Sequence, residues 1–512
     1  MFVHDQYKLY QMAHTFINEH NYKMLQVDYE KDVLWLEKYK HNVSHVIRLS
    51  LTGFDWKNHL KQDMLHSLQQ IDVNQRLITG KVVEFYNIYV SSHAPVDHWT
   101  NLQQPISVNR RKKTTMYMFY FDRENFFDEY HRFYELTGIE MDWIYDIPSE
   151  SYAEQFILAY KNKLRYLKRA EKERAREIFS YGKPRLTYLL IALNVVIFFI
   201  VELTGGSMDI EHLIDFGAKY NPYIVDGQWW RIISSMFLHI GFFHIFMNML
   251  ALYYLGHAVE RIFGTLRLFI IYMLAGIGGG LASFAFTIQV SAGASGAIFG
   301  LFGALLFFGT IHKQLFLQTM GRNLLFIVGI NIVFGFVVPQ IDNSAHLGGL
   351  IGGFIAAAIV HLPKQKQLLK QLLAFIIYIV MASFLVGFGM NEHSNSSFYE
   401  LHKVDELLAT EQYDMAIEIS TEQIKLNNEL LPQYLFQRGY AYIRIGELYL
   451  AIDDLEQCIS LTDDIPEAYY NLALLYYEIE QFALAEEMIT KAVELEPDNP
   501  MFQDTYDEII VD

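Results

Sequence analysis

Cysteine is nearly absent from this 512-residue chain, in which Cys458 stands alone. A single cysteine excludes an internal disulfide, so the redox compartment cannot be read from it. Residues 1–7 also lack a basic start followed by an apolar run, and we therefore expect no cleavable signal peptide and a cytoplasmic N-terminal part. Charged residues are scarce at 19%, against 52% hydrophobic residues, a balance typical of a membrane protein with soluble appendages.

The few charges are unevenly distributed along the chain. Residues 391–512 hold 27 acidic and 5 basic side chains, whereas the whole chain carries a net charge of −18, so the remainder is slightly basic. This distribution implies no nucleic-acid surface, and we expect no nucleic-acid partner. Ten of the 19 histidines lie in residues 1–150, but no zinc-type ligand string is present. We interpret them as scattered surface histidines, with a regulatory metal site as the alternative, and predict no metal and no cofactor.

Residues 1–150 contain no apolar run of membrane length and predict a small soluble α/β domain. Its β-type runs are 22–28, 33–39, 44–49, 81–91 and 115–121, and its helical stretches are 6–20, 54–71 and 123–136. Residues 151–180 predict a basic helical linker. Its cluster of lysines and arginines favours the cytoplasmic side of a membrane, where anionic headgroups lie.

Seven apolar helical segments follow, six in a membrane core at 181–363 and one in residues 364–392. They are placed at 186–204, 242–262, 266–288, 294–311, 322–339, 344–361 and 371–390. The connections on one side are basic, with Arg261, Arg267, Lys313, Arg322, Lys364, Lys366 and Lys370, and those on the other side carry Asp209, Glu211, Asp215 and Asp342. The positive-inside rule then predicts a cytoplasmic N-terminal domain and, after seven crossings, an extracytoplasmic C-terminal region.

Residues 393–512 have the period of tetratricopeptide repeats. Pro432, Pro466 and Pro500 recur at 34-residue intervals, which is the length of one such repeat. The best unit carries the expected small and aromatic residues at Tyr469, Leu472, Ala473, Tyr476, Ala485, Ala492 and Pro497. We therefore predict an α-solenoid, with residues 398–430 as a degenerate leading unit.

Two short phrases in separate apolar helices carry the strongest chemical signal. One contains Ser295 within Gly-Ala-Ser-Gly, and the other contains His346 within Ala-His-Leu-Gly-Gly. Polar groups at the heads of apolar helices are costly in lipid unless they have a function. A serine becomes an effective nucleophile when a base takes its proton, and His346 is the natural candidate for that base.

Glycines flank both residues and predict a close approach of the two helices. Gly293 and Gly296 surround the serine, while Gly349 and Gly353 lie three and seven residues beyond His346. Small residues at such spacing let membrane helices pack closely. We expect this packing to bring the hydroxyl of Ser295 within hydrogen-bond reach of the histidine.

A second polar set surrounds the start of the second predicted span. His244 and Asn248 are four residues apart, hence on one helix face, and both can donate hydrogen bonds to a developing oxyanion. His239 lies in the preceding loop, where we expect it to orient that loop. Each set alone also has a non-catalytic interpretation. Small residues pack membrane helices generally, and His244 with Asn248 would equally suit a transporter cavity or a metal site.

Together these motifs resemble the rhomboid family of intramembrane serine proteases over about residues 180–362. The matching features are Trp230-Arg231, the His-x4-His-x3-Asn string ending at Asn248, Glu260-Arg261, Gly-x-Ser-Gly, and Ala-His-x2-Gly-x3-Gly. The layout resembles the Gram-positive bacterial form, which has a soluble N-terminal domain, a seventh span and a tetratricopeptide tail.

The resemblance implies a Ser–His dyad without a third acid. Ser295 would attack the substrate carbonyl and His346 would shuttle the proton, while the Ser295 amide, His244 and Asn248 would hold the oxyanion. Phe299 stands where family members often have a tyrosine stacked on the histidine. The ring is kept and the hydroxyl lost, so we expect the stacking to persist.

The motifs and the resemblance together imply a multi-pass serine protease of the bacterial cell membrane. Its expected partners are the lipid bilayer, transmembrane protein substrates and protein clients of the repeats. Two alternatives stay open at this point: a membrane adaptor that recruits clients through its soluble domains, with or without proteolysis, and a transporter that uses the intramembrane polar residues.

Overall fold

The computed structural model describes the whole chain except residues 1, 74–77, 110–111, 146–147, 339–340, 366, 428 and 512. Two compact units make up the chain: residues 1–181 with 308–327, and residues 182–307 with 328–512. Lys366, one of the predicted cytoplasmic basic residues, lies outside the described residues.

The N-terminal domain is built on one mixed six-stranded sheet. Its strands are β1 Lys23–Asp28, β2 Val33–Lys40, β3 Val43–Ser50, β4 Val82–Val90, β5 Ile106–Asn109 and β6 Lys113–Phe121. The strand order is β1-β2-β3-β4-β6-β5. Strands β3, β4 and β6 run parallel, while β1, β2 and β5 pair antiparallel with their neighbours. The helices are α1 Phe2–His14, continued by a π-helical turn Thr15–Glu19, then α2 Lys57–Val73, α3 Phe126–Thr137 and α4 Glu150–Ile178.

This domain confirms the predicted α/β class. It differs from the prediction in one additional strand, β5, and in the packing of helix α4 against the domain. Strand β5 was not predicted because polar Ser107 and Asn109 alternate with its two apolar residues, so the strand contains no apolar run. The segment predicted as a linker is the continuous helix α4, and its first half belongs to the domain core. Four of its side chains are buried there beside α1: Ala153, Ile157, Tyr160 and Leu164.

The seven predicted spans all coincide with apolar helices, which confirms a helical membrane core. Five of them are long and apolar enough to cross a membrane, and two are shorter, at 17 residues each. The helices from the first span onward are α5 Leu186–Thr204, α6 Ile210–Asp215, α7 Asn221–Val225, α8 Arg231–Ser234, α9 Gly241–Phe263, α10 Thr265–Phe286, α11 Ser295–Ile311, α12 Lys313–Thr319, α13 Gly321–Val337, α14 Asn343–Val360 and α15 Leu368–His393.

Helix α10 is the most buried of the five long spans and packs against α14 and α15. The carboxylate of Glu260, at the end of α9, accepts hydrogen bonds from the backbone amides of Arg185, Leu186 and Thr187. It therefore satisfies amide donors that have no partner within α5 at the start of that helix. The fully buried Glu260 thus fixes the start of the first span to the end of the second.

The C-terminal region is an array of helical hairpins, which confirms the predicted repeats. The helices are α16 Ser397–Ala409, α17 Tyr413–Leu426, α18 Leu431–Ile445, α19 Leu448–Leu461, α20 Pro466–Glu478, α21 Phe482–Leu495 and α22 Pro500–Val511. Small residues at the hairpin contacts are fully buried, among them Ala451, Ala473 and Ala485. The partly buried guanidinium of Arg438 donates two hydrogen bonds to the buried Asp454, at 2.7 and 2.6 Å, and so links α18 to α19.

Candidate active site

Ser295 and His346 meet at the starts of two apolar helices. Ser295 is the first residue of α11 and His346 is the fourth residue of α14. The distance between Ser295 Oγ and His346 Nε2 is 2.9 Å, across a sequence separation of 51 residues. This is the hydrogen bond that a nucleophile and its general base require.

Direct backbone contact between α11 and α14 sets this distance. A Cβ atom added at Gly349 would lie 2.0 Å from the carbonyl oxygen of Gly296, and one at Gly353 would lie 2.1 Å from that of Gly300. Both values are far below any real Cβ contact, so only glycine fits at these positions. The predicted glycine faces of the two helices are therefore in contact, and each is held against the backbone of the other.

Phe299 covers the imidazole of His346 on one side. The two rings are stacked, with centroids 4.1 Å apart and an interplanar angle of 11°. Phe299 lies one helical turn beyond Ser295, so the same helix supplies both the hydroxyl and the ring that orients its partner. The stacking expected from the sequence is present without a tyrosine hydroxyl.

The other imidazole nitrogen, His346 Nδ1, is buried and has no hydrogen-bond partner among the described residues. The nearest acid in the sequence, Asp342, serves a different purpose. Its carboxylate accepts a hydrogen bond from the Ala345 amide at 2.9 Å and one from Ser283 Oγ at 2.5 Å. Asp342 is therefore the N-cap of α14, and in the described part of the chain it makes no hydrogen bond to His346.

His244 and Asn248 lie on α9, and the His244 side chain contacts the residues that directly precede Ser295. A Cβ atom at Gly293 would come within 2.9 Å of His244 Cε1, so the imidazole lies against the backbone two residues before Ser295. Asn248 Nδ2 donates to the His244 carbonyl oxygen at 3.0 Å. The Asn248 side chain therefore bonds to the backbone of its own helix, and no described contact joins it to Ser295 or His346.

His239 is almost completely buried in the loop that enters α9. Its Nε2 accepts a hydrogen bond from the backbone amide of Ala294 at 3.4 Å, and its ring centroid lies 5.3 Å from that of His244. The amide of Gly293 donates to the Ser235 carbonyl oxygen at 2.9 Å. The residues immediately before the serine are therefore fixed by two contacts to the 235–239 loop.

Trp230 and Arg231 make no described contact with the Ser–His pair, and Arg231 orders the loop between the first two spans. The buried Arg231 guanidinium donates to the carbonyl oxygens of Ile214 and Ala218, at 2.5 and 3.2 Å. It also lies 4.6 Å from the ring centroid of Tyr223. Trp230 is half exposed.

Lys219 is a buried residue that the sequence analysis did not identify. Its ammonium group donates to the carbonyl oxygens of Thr287 and Gln289, at 2.9 and 2.8 Å, and its backbone pairs with Ser291. Burial lowers the pKa of Lys219 to about 8. A lone lysine in a polar loop gives no sequence signal of this kind, because its burial depends on how the 287–291 segment folds back.

The fold and the site together define a multi-pass helical membrane protein that carries a Ser–His pair and a repeat domain. Residues 226–363 match the rhomboid domain, and residues 432–465 and 466–499 each match a tetratricopeptide repeat. The chain is 34% identical over 477 residues to rhomboid protease GluP of Bacillus subtilis (strain 168), covering 92% of both chains. It is 30% identical over 253 residues to rhomboid protease AarA of Providencia stuartii, covering 43% of this chain and 89% of the relative.

The chain belongs to the rhomboid family. The resemblance to the rhomboid family drawn from its motifs is confirmed, and the match to one relative extends through the N-terminal domain and the repeats. RHOMBOID-like protein 1 of Arabidopsis thaliana is 43% identical over 147 residues, which cover 28% of this chain and 37% of that protein. This shorter match shows a greater identity than the near-full-length match to the Bacillus relative.

Proposed function

We propose that this protein is an intramembrane serine endopeptidase that cleaves membrane proteins in or near their transmembrane segments. The observation that supports this most strongly is the 2.9 Å hydrogen bond between Ser295 Oγ and His346 Nε2, formed between two apolar helices. Membership of a family whose relatives are named proteases supports the same activity. A transporter cavity would not require a serine paired with an imidazole in this geometry.

The proposed reaction follows from the positions of the two side chains. Ser295 Oγ attacks the scissile carbonyl carbon while His346 Nε2 takes the hydroxyl proton, and a tetrahedral oxyanion forms. His346 then returns the proton to the leaving amine, and the C–N bond breaks to give an acyl-enzyme. Water, deprotonated by His346, hydrolyses the ester, releases the carboxylate product and restores the serine.

Three groups are proposed to stabilise the oxyanion: the Ser295 backbone amide, the His244 imidazole and the Asn248 amide. The Ser295 amide lies at the start of α11, where amide groups have no intrahelical acceptor and point toward bound negative charge. His244 already lies against Gly293. Asn248 must exchange or share its bond with the His244 carbonyl oxygen in order to take part.

The decisive experiment measures cleavage of a single-span reporter by the purified full-length protein in proteoliposomes. Ser295→Ala and His346→Ala should each lower the rate by at least about 10³-fold, because the residues of a nucleophile–base unit act together. Ser291→Ala and His257→Ala are matched controls, since the first residue contacts Lys219 through its backbone and the second lies away from the pair on α9. Cleavage that persists in both site variants would refute the proposal.

The sidedness and domain roles are part of the same proposal. We place the N-terminal domain, 1–150, and the linker, 151–180, in the cytoplasm, and the repeats, 393–512, outside the cell membrane. The distribution of basic residues around the spans supports this orientation. Reporter fusions at both ends of the chain test it, and activity of a cytoplasm-specific reporter at the C-terminus would contradict it.

Client binding by the repeats is the second candidate function. The array matches two tetratricopeptide repeats and is strongly acidic, which would suit basic segments of partner proteins. Such recruitment is compatible with proteolysis and can be separated from it. A protein whose abundance depends on the repeats in cells, but not on Ser295, would be a client of the adaptor function alone.

A further inference from the structure

Three potential metal ligands from distant parts of the sequence meet where the repeats join the membrane core. They are Asp226, between α7 and α8, and His402 and Glu406, one turn apart on α16. One ligand atom of each residue lies within 4.8 Å of the others. We call these three residues the junction cluster. No described contact joins any of them to Ser295 or His346.

His402 is the central residue of the junction cluster. It is 8% exposed, and its Nε2 atom is buried without a hydrogen-bond partner among the described residues. The nearest carboxylate oxygen, on Glu406, lies 3.6 Å from this nitrogen, which is too long for a hydrogen bond. A buried, unsatisfied imidazole nitrogen that faces two carboxylates is an arrangement that a cation would complete.

Neighbouring aromatic residues hold the ligands in place. The rings of Tyr220 and Tyr223 meet the His402 ring edge-on, at centroid distances of 5.4 and 4.9 Å, and restrict its rotation. Tyr399 Oη donates to Asp226 Oδ1 at 2.6 Å, and this bond holds the carboxylate beside α16. Such hydrogen bonds from a surrounding shell orient metal ligands and are a common feature of metal sites.

We propose that the junction cluster binds one divalent transition-metal ion, with Zn²⁺ as the best match. Nitrogen and oxygen ligands bind Zn²⁺ at about 2.0–2.2 Å, so the ligand atoms must draw together slightly from their present separation. The two carboxylates are exposed and can move in this way. Imidazole favours Zn²⁺ over Mg²⁺ and Ca²⁺, which prefer all-oxygen sites. Water would complete the coordination sphere.

A bound ion would fasten the repeat array to the loop that precedes α9. Asp226 belongs to that loop, whereas His402 and Glu406 belong to the first repeat helix, so one ion bridges the two. Present contacts between these elements include the Tyr399–Asp226 hydrogen bond and ring contacts to His402. The ion would add a stronger, concentration-dependent link at the same place.

The test compares Zn²⁺ stoichiometry in the metal-stripped full-length protein, measured by equilibrium dialysis at neutral pH. His402→Ala, Asp226→Asn and Glu406→Gln should each lose one equivalent of Zn²⁺ relative to the unmodified protein. Other histidines also bind Zn²⁺, so this difference is the relevant quantity. Glu400→Gln is the matched control: it lies on the same helix, pairs with Lys403 at 2.9 Å and is outside the cluster. It should keep the full stoichiometry.

Hydrogen–deuterium exchange provides the second measurement. Zn²⁺ should slow exchange in residues 221–226 of the unmodified protein and the control, but not in the cluster variants. Asp226→Asn changes an exposed loop residue, so it keeps the test valid should His402→Ala fail to fold. Equal stoichiometry in all variants, or an equal loss in Glu400→Gln, would overturn the proposal and leave the cluster as an ion pair. Mg²⁺ that matches the effect of Zn²⁺ would overturn the metal assignment.

Discussion

Replacing Gly349 by alanine should separate the serine from the histidine without touching either. The added Cβ would lie 2.0 Å from the Gly296 carbonyl oxygen, whereas ordinary contacts begin at 3.4 Å. The atoms that this Cβ would meet are all backbone atoms of Gly296, which cannot rotate away. Helices α11 and α14 must therefore move apart by about 1 Å or more to relieve the overlap. The 2.9 Å Ser295–His346 hydrogen bond would then lengthen to about 4 Å, beyond hydrogen-bond reach.

A misplacement of this size at a catalytic pair costs about 10²-fold in rate. Overpacking a close helix contact should also destabilise the protein, by about 1–3 kcal/mol. The assay is reporter cleavage in proteoliposomes, read together with the thermal unfolding temperature, so that loss of geometry and loss of fold are distinguished.

Gly352→Ala is the matched control on the same helix. Its added Cβ would meet its nearest neighbour, the Leu274 carbonyl oxygen, at 3.5 Å, which is ordinary contact. We expect this variant to retain most of its activity. Equal activity of the Gly349 and Gly352 variants would refute the reasoning that glycine contacts set the distance between nucleophile and base.

Three further predictions concern the support of the site and the repeats. Phe299→Ala should lower kcat for reporter cleavage by about 2- to 10-fold, because it removes the stabilisation that one aromatic pair provides. Phe299→Tyr keeps the ring, and its kcat should stay within about 2-fold of the unmodified protein. Lys219→Met removes the two hydrogen bonds that the lysine ammonium donates to the 287–291 segment, so hydrogen exchange in that segment should become faster and reporter cleavage slower. Unchanged exchange would contradict the inference that Lys219 holds this segment in place. Arg438→Ala leaves a buried carboxylate unpaired and should lower the local unfolding free energy of α18 and α19 by about 3 kcal/mol, as native-state hydrogen exchange would show. Arg444→Ala, which removes an exposed ion pair, should change that free energy far less.

The elements that the sequence predicted best are those whose signal is local. The 34-residue spacing of Pro432, Pro466 and Pro500 repeats one helical hairpin, and each hairpin forms where the period places it. The spans are long apolar runs, and their helices begin and end within a few residues of the predicted bounds. Strand β5 gave no such signal, because it is short and half polar and is defined by its pairing with β6.

Side-chain roles at the site were only partly readable from the sequence. Asp342 could have been recognised as an N-cap, since it directly precedes an apolar helix and lies three residues before the amide that it accepts from. The burial of Lys219 gave no signal, because it depends on a turn of chain almost 70 residues away. The junction cluster was equally hidden, since Asp226 and His402 are separated by most of the membrane core.

The sequence by itself determined the helices, the repeats and the identity of the two polar groups, Ser295 and His346, because helix periodicity and the cost of polar groups in lipid act over one or two turns. Only the tertiary structure decided that these groups meet at 2.9 Å. That distance depends on backbone contact at Gly349 and Gly353, and such contact is a property of two helices packed together, which neither helix possesses alone.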